Sequence, residues 1–165
     1  MPASARIRRA RPDEADALTV LCLRAKAHWG YPAEQLARWH DALTVRADVL
    51  ASHPAWVAER DGRLVGYCLL LAGEPHWCLE DLFVDPSAIG QGIGRALMAQ
   101  ALVTARDGGA RGLTIDADPH AEAFYLSQGA RRVGTCAAPI PGEPTRVRPQ
   151  LLIDGAWPRQ WSVPL

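Results

Sequence analysis

One stretch of the sequence, from Leu79 to Leu102, constrains the fold more than any other, because it joins a strand, a glycine-rich turn and a helix. Apolar residues up to Val84 are typical of the end of a buried strand, which Pro86 closes because proline has no N–H to donate. Glycines follow at positions 90, 92 and 94. A helix ending at Asp107-Gly108-Gly109 is then predicted by an apolar stripe of Ile93, Leu97, Met98, Ala101, Leu102 and Ala105. Main-chain N–H groups and a positive helix end would meet at one spot, which is a site for phosphate oxygens.

The loop differs from two common phosphate-binding loops. A P-loop carries a lysine followed by a hydroxyl residue, whereas this loop ends in Gly94-Arg95-Ala96. The dinucleotide fingerprint G-x-G-x-x-G also fails, because Arg95 occupies the position of its third glycine. A glycine-rich turn that binds no ligand remains an alternative, since short motifs also match by accident.

The loop resembles the acyl-CoA loop of the GNAT acetyltransferases, whose pattern is Gln/Arg-x-x-Gly-x-Gly/Ala after a Val-x-Pro strand end. Here the pattern runs from Ile89 to Gly94 after Val84-Asp85-Pro86, and Ile89 replaces the leading Gln or Arg. The segment from Asp118 to Ala130 resembles the later motif of the same family, Asn-x-x-Ala-x-x-Phe-Tyr-x-x-x-Gly-Phe. In this second match His120 stands for the Asn and Ala130 for the final Phe. Two matches in the right order and separation identify the chain as similar to this family.

Length and composition exclude other classes of protein. The 165 residues are predicted to form one domain, 1–165, which is long enough for a hydrophobic core. Lysine plus arginine and aspartate plus glutamate number 18 each and no basic run occurs, which argues against a nucleic acid as partner. The sequence has no apolar run of membrane-spanning length and no secretory leader, so we expect no membrane partner either.

The cysteines indicate a reducing compartment. Cys22, Cys68, Cys78 and Cys136 have no C-x-x-C spacing and three of them lie in apolar runs, which predicts reduced, buried thiols in the cytoplasm. No set of histidine, cysteine and acidic residues has metal-ligand spacing, so we expect no metal ion. The segment 154–165 is predicted to be a C-terminal tail without an assigned element.

Hydrophobic periodicity predicts the element order β-α-α-β-β-β-α-β-α-β-β. A first helix opens at Pro12 and ends near Gly30, and Asp61-Gly62 predicts a hairpin between two strands. A second helix is expected to carry Leu36, Trp39 and Leu43 on one side. In the strand His76–Val84, strict alternation assigns Cys78, Glu80, Leu82 and Val84 to one face and Trp77, Leu79, Asp81 and Phe83 to the other.

This order is also that of the GNAT fold. The resemblance therefore implies an α/β (α+β) protein with a mixed central β-sheet of about seven strands, flanked by helices on both faces. It implies that the chain transfers an acetyl group from acetyl-CoA, as co-substrate, to a primary amine of a small molecule or peptide. The amine would attack directly, through a tetrahedral intermediate. The residues implied to bind acetyl-CoA are Leu82, Phe83, Val84, Ile89, Gly90, Gln91, Gly92, Ile93, Gly94, Arg95, His120 and Phe124.

Acetyl transfer from a thioester to an amine needs a base, a donor for the oxyanion and an acid for the leaving thiolate. By the resemblance, Tyr125 lies near the thioester sulfur, where a phenol with a pKa near ~10 can protonate a thiolate. The alternative is a tyrosine that only packs against the sheet. Glu80 is the candidate base, because a mid-strand carboxylate beside apolar residues should have a raised pKa. The alternatives are that Glu80 pairs with an arginine in the sheet, and that Asp81 is the base.

His28, Trp29 and Tyr31 gather where the first helix ends. In the GNAT family this region walls the acceptor site, which predicts that these three side chains bind the amine; ordinary packing at a helix end is the alternative. Two other functions remain open. One is a CoA-binding module without turnover, and the other is an enzyme acting on protein N-termini or lysines. A homodimer is also left open.

Overall fold

The computed structural model describes residues 4–154, so the predicted tail lies outside the described residues except for Asp154. The strands are β1 Arg6–Arg9, β2 Ala55–Arg60, β3 Arg63–Leu71, β4 His76–Val84, β5 Gly112–Asp116, β6 Arg131–Ala137 and β7 Val147–Asp154. The helices are α1 Ala15–Ala27, α2 Ala33–Arg38, α3 His40–Leu43, α4 Ala47–Ser52, α5 Ile93–Asp107 and α6 Glu122–Ser127. Short 3₁₀ turns lie at Pro12–Glu14, Pro86–Ala88 and Pro119–Ala121.

The strands form one mixed sheet in the order β1-β2-β3-β4-β5-β7-β6. Neighbouring strands are antiparallel except β4 and β5, which run parallel and are connected through α5. The parallel pairing begins at His76 with Gly112 and ends at Cys78 with Thr114. Beyond that pair β4 and β5 share no ladder, so the sheet is split between the carboxyl ends of its two central parallel strands.

Two hydrophobic clusters cover the two faces of the sheet. Helix α5 buries all six residues of its predicted stripe in the first cluster. Helix α1 buries Leu18, Leu21 and Cys22 in the second cluster. Tyr67 and Cys68, which are neighbours on β3, belong to different clusters, as expected when successive side chains point to opposite faces. The predicted fold class, a mixed seven-stranded sheet with helices on both faces, is confirmed.

The helical segment after Tyr31 differs from the prediction. The single helix expected around Leu36 and Leu43 is two short helices, α2 and α3, which break at Trp39. Trp39 has φ −89° and ψ 1°, and its ring packs edge-on against Tyr31 with 4.8 Å between centroids. This contact is tertiary, so the spacing of apolar residues along the chain does not reveal it.

The alternation predicted for β4 is wrong, because the strand contains a β-bulge at Glu80. Leu69 of β3 pairs with Asp81 and the next residue, Leu70, pairs with Leu79, so Glu80 has no residue opposite it. One extra residue in a strand shifts the side chains that follow to the other face. Leu79 therefore packs in the same cluster as Leu82 and Val84, while Phe83 packs in the cluster of α1.

The prediction of buried thiols holds for two of the four cysteines. All four are free, but only Cys22 and Cys68 are buried, whereas Cys78 and Cys136 are partly exposed. Within residues 4–154, no helix has both the length and the apolar character needed to cross a membrane. The same residues contain no group of three or more histidine, cysteine or acidic side chains placed to hold a metal ion.

Candidate active site

A cavity of about 360 Å³ opens at the split between β4 and β5. It is lined by the end of β4, the glycine loop, the end of β5, the start of α6 and the last turn of α1. Most of the predicted site residues line it, namely Glu80, Leu82, Phe83, Val84, Ile89, Gly90, Gly92, Ile93, Gly94, Arg95, His120, Phe124, Tyr125 and Trp29. The predicted residues outside the lining are Gln91, His28 and Tyr31.

The glycine loop directs the positive end of α5 into this cavity. Gly90 and Gly92 have φ of 77° and 82°, in the left-handed region where other residues are strained. Gly92 is the N-cap of α5, and the first helical hydrogen bond runs from the Ala96 N–H to the Gly92 oxygen at 3.0 Å. The N–H groups of Ile93 and Gly94 therefore have no helical partner. With the helix dipole, they make this end of the cavity suitable for phosphate oxygens.

Two contacts fix the shape of the loop. A Cβ added at Gly94 would lie 3.3 Å from the Phe124 ring, so the absent side chain lets α5 and α6 approach closely. The Gln91 side chain turns to the protein, where it accepts a hydrogen bond from Arg60 and donates one to the Ser87 oxygen at 3.3 Å. Gln91 thus contributes to the conformation of the loop, and its side chain does not line the cavity.

The split sheet offers main-chain groups to a ligand. On one edge β4 pairs with β3 as far as Val84, but the edge facing β5 has no ladder beyond Cys78. Main-chain polar groups in such a position need a partner, from water or from a ligand. An extended molecule with its own amide groups, lying in the split, would pair with Leu82 to Val84 as an added strand does.

Tyr125 is buried, yet its hydroxyl reaches the cavity. The residue is 6% exposed, and its hydroxyl forms no hydrogen bond with another residue of the described chain. The hydroxyl oxygen is not completely buried, so it keeps contact with open space. Burial raises the pKa of the phenol, and the neighbouring Cys68 and Asp81 raise it further. Tyr125 therefore stays protonated at neutral pH and is available as a donor.

Phe124 and Tyr125, neighbours on α6, both belong to the core cluster and to the cavity wall. Tyr125 is the more buried ring, and Phe124 is half-buried on the edge of the same cluster. Both rings line the cavity, and they meet edge-on with 5.2 Å between centroids.

The two carboxylates of β4 lie in opposite surroundings. Glu80, at the bulge, is exposed and lines the cavity, which contradicts the expectation of an apolar setting. Among residues 4–154, its carboxylate accepts a hydrogen bond only from the Cys78 thiol, at 3.8 Å. Asp81 lies on the α1 side, where it accepts a hydrogen bond from the Tyr67 hydroxyl at 3.3 Å. Burial, with the adjacent charge of Glu80, raises the pKa of Asp81 to about 6.

A network centred on Asp118 closes the other side of the cavity. Asp118 caps the turn before α6, and its carboxylate accepts hydrogen bonds from Lys26 at 2.6 Å and Tyr31 at 2.8 Å. It also accepts from the His120 N–H at 2.8 Å. Burial alone would raise the pKa of Asp118, but the hydrogen bond and charge of Lys26 hold it well below its usual range. Arg146 donates to the Tyr31 hydroxyl at 2.9 Å and so joins the loop before β7 to the network.

Aromatic rings complete this side. Trp29 stacks face to face on His120 with 5.3 Å between centroids, and Tyr31 meets His120 edge-on at 5.4 Å. His28 has only an edge contact with Trp29 and takes no part in the network. Of the predicted group, Trp29 and Tyr31 both contact His120, whereas His28 contacts Trp29.

Sequence reasoning missed several polar residues of the site. Lys26, Asp116 and Arg148 line the cavity, and Arg146 lies behind it. A signal for Asp118 was present, because the Asn of the second motif precedes its alanine by three residues. That spacing selects Asp118, rather than His120, relative to Ala121. Arg146 and Arg148 carry no local signal, since they reach the site only through the pairing of β7 with β5.

Comparison with known sequences gives partial matches. A model of the acetyltransferase (GNAT) family matches residues 19–130. The peptidyl-lysine N-acetyltransferase YiaC of Escherichia coli (strain K12) is 38% identical over 93 residues, which are 56% of this chain and 61% of that protein. Phosphinothricin N-acetyltransferase of Alcaligenes faecalis is 45% identical over 53 residues, 29% of this chain and 27% of that protein. The chain thus spans less than two thirds of the length of these curated relatives.

Solved structures match over nearly the whole chain. A GCN5-related N-acetyltransferase from Rhodopseudomonas palustris superposes with a TM-score of 0.77 at 22% identity, covering 94% of this chain and 98% of the other. The PaiA N-acetyltransferase of Thermoplasma acidophilum, solved with coenzyme A, has a TM-score of 0.75 at 15% identity, covering 93% and 100%. At such identities these likenesses establish the fold alone.

Proposed function

The chain belongs to the GNAT acetyltransferase family, and from this premise we propose that it transfers an acetyl group from acetyl-CoA to a primary amine. One observation carries the proposal most strongly. A single cavity combines the open N-terminus of α5, the unpaired edge of β4 and the accessible hydroxyl of Tyr125. These three features fit a pyrophosphate, an amide-containing arm and a thioester in that order.

The chemistry of the step assigns a role to each side chain. Acetyl-CoA supplies the activated acetyl group as a thioester. The neutral amine donates its lone pair to the carbonyl carbon, a C–N bond forms, and the C–S bond breaks as the electron pair leaves on sulfur. One proton must leave the amine nitrogen and one must reach the thiolate, so a base and an acid are both required.

Tyr125 is the proposed acid. Its phenol remains protonated because burial raises its pKa, and its hydroxyl has no competing hydrogen bond within residues 4–154. A donor without a protein partner is free to hydrogen-bond the sulfur as negative charge develops there. This role is supported by the position of Tyr125 in the wall of the cavity.

Glu80 is the proposed base, acting directly or through a water molecule. The bulge at Glu80 carries its carboxylate out of the ladder, and the side chain lines the cavity. Asp81 has the raised pKa but lies on the α1 side and does not line the cavity, so it is the weaker candidate. We also propose that the protein acts in the cytoplasm, which is supported by its four free cysteines.

The proposal is tested by mixing the protein with acetyl-CoA and a panel of amino acids, polyamines and lysine peptides. Thiol release and the mass of the products are measured. We expect release of CoA that depends on the amine and a product heavier by one acetyl group. Tight CoA binding without release for any amine would support the non-catalytic module instead.

A further inference from the structure

Arg148 is a cation on the cavity wall that forms no ion pair with the part of the chain that the structure describes. Its guanidinium donates only to main-chain oxygens, to Ala117 at 3.5 Å through Nε and to Asp116 through one terminal nitrogen. Within residues 4–154, no carboxylate lies within ion-pair distance of it, and Nη1 donates to nothing. Nη1 is not completely buried, so it remains accessible to a ligand. The two carbonyls thus fix the guanidinium in place while leaving part of it open to a ligand.

The carboxylates that line the cavity with Arg148 do not neutralise its charge. Asp118 is saturated by Lys26, Tyr31 and His120. Glu80 and Asp116 are exposed on the cavity lining, and neither forms an ion pair with Arg148. A half-buried guanidinium held without a counter-charge is a binding site for a planar oxyanion, because its donors match a carboxylate.

The place of Arg148 separates it from the phosphate end of the cavity. The glycine loop follows β4, whereas Arg148 lies on β7, which pairs with β5 on the edge away from β4. Lys26 and Asp118 line the same cavity as Arg148, and Tyr31 donates to Asp118 from behind that lining. Arg148 therefore faces the part of the cavity that the acetyl acceptor would occupy.

The cavity, at about 360 Å³, limits the size of that acceptor. Lys26 at the end of α1 binds Asp118 before α6, and Arg146 before β7 binds Tyr31. Because these contacts tie three separate segments together, they fix one wall of the cavity. The stacked rings of Trp29 and His120 add to this wall.

From these observations we propose that the acceptor is a small amine carrying a carboxylate, and that Arg148 binds the carboxylate. The inference rests on the proposed function and makes it more specific. With the carboxylate on Arg148, the amine of such a molecule would lie toward Glu80 and the thioester. A charge-assisted pair of this kind contributes about 1.5–3 kcal/mol, or roughly 10- to 100-fold in affinity.

The experiment uses matched pairs of acceptors, each an amino acid and its uncharged carboxamide, together with a lysine peptide. In the wild type, kcat/KM for the acid should exceed that for the amide by at least ~10-fold. Arg148→Gln should bring the ratio close to one, and Arg148→Lys should lie between them. The control Arg131→Gln, an exposed arginine on the neighbouring strand β6, should keep the wild-type ratio.

Two further measurements separate recognition from folding. Acetyl-CoA affinity should stay within a few-fold of wild type in Arg148→Lys, and the melting temperature shows that the variant is folded. A purely structural role for Arg148 would not alter the acid-to-amide ratio of a folded variant. Calorimetry on CoA-saturated wild type should show binding of the acid at least ~10-fold tighter than of the amide, and this needs no turnover. Equal binding of acid and amide, or preference for the lysine peptide, would overturn the inference. Binding of the acid without acetylation would leave the inference intact and contradict the proposed function.

Discussion

The two halves of the cavity are built in different ways. The half at the glycine loop comes from one continuous stretch, from the end of β4 to the start of α5, and its features are main-chain features. The half around Asp118 is assembled from side chains far apart in sequence: 92 positions separate Lys26 from Asp118, and 115 separate Tyr31 from Arg146. Main-chain groups from one continuous stretch suit the binding of a co-substrate that a whole family shares. Side chains from distant loops suit the part that differs from one acceptor to another.

The largest expected effect concerns the point where the two halves meet. Tyr125→Phe keeps the ring and removes the proposed proton donor, so kcat should fall by ~10- to 10³-fold. Acetyl-CoA affinity should stay within a few-fold, and an acyl donor with a better leaving thiol should recover part of the rate.

The control is Tyr67→Phe, which removes a buried hydroxyl from the α1 side and should turn over nearly normally. Normal turnover by Tyr125→Phe would assign the acid role to another group or to water. Loss of CoA binding would make the tyrosine a positioning residue of the loop half.

Glu80→Gln tests the proposed base, which acts on the acceptor amine. A base matters most where the amine is protonated, so the loss in kcat/KM should reach ~10²-fold and be concentrated on the acidic limb of the pH profile. The exposed Glu34→Gln on α2 serves as the control. An unchanged profile for Glu80→Gln would favour Asp81 or a chain of waters.

Gly92→Val probes the loop half alone. Valine is strained at φ 82° and its side chain would occupy the approach of the phosphates, so CoA affinity should fall at least tenfold, about 1.4 kcal/mol. Gly62→Val is a matched control, because Gly62 has a similar φ of 75° and a Cβ added there would also meet no atom within 4 Å. Gly62 lies in the turn between β2 and β3, away from the cavity. Equal CoA affinity of the two folded variants, measured by calorimetry, would remove the phosphate role of the loop.

The last prediction concerns stability rather than function, at a carboxylate that belongs to neither half. The pKa of Asp81 is about 6 when folded and near 3.8 when unfolded, so the folded protein binds the extra proton between these values. Its stability should therefore fall as the pH rises from about 4 to about 6. Asp81→Asn keeps an acceptor for Tyr67 and should be more stable than wild type at pH 8 by roughly 1–3 kcal/mol.

The gap between Asp81→Asn and wild type should shrink as the pH is lowered through 6 toward 4, as measured by urea unfolding at several pH values. The titratable groups that interact with Asp81 are Cys22, Tyr67, Cys68, Glu80 and Tyr125. A gap of constant size, or a variant less stable at pH 8, would show that the charge of Asp81 is compensated in the fold.

Features of the half at the glycine loop could be predicted from the sequence, whereas most of those around Asp118 could not. The glycine loop, the helix that begins directly after it and the six buried residues of that helix depend on neighbours in the chain, and all were predicted. The bulge at Glu80 was not, because it is defined by the register against β3. Arg146 and Arg148 were missed for a related reason, since only the pairing of β7 with β5 brings them to the site.

The most direct test of the division is steady-state kinetics in which acetyl-CoA and a carboxylated amine are varied independently. Gly92→Val should raise KM for acetyl-CoA at least tenfold and change KM for the amine only a few-fold. Arg148→Gln should raise KM for the amine at least tenfold and change KM for acetyl-CoA only a few-fold. If each variant instead raises both constants to the same extent, the cavity is one coupled site, and the account of two separately built halves is contradicted.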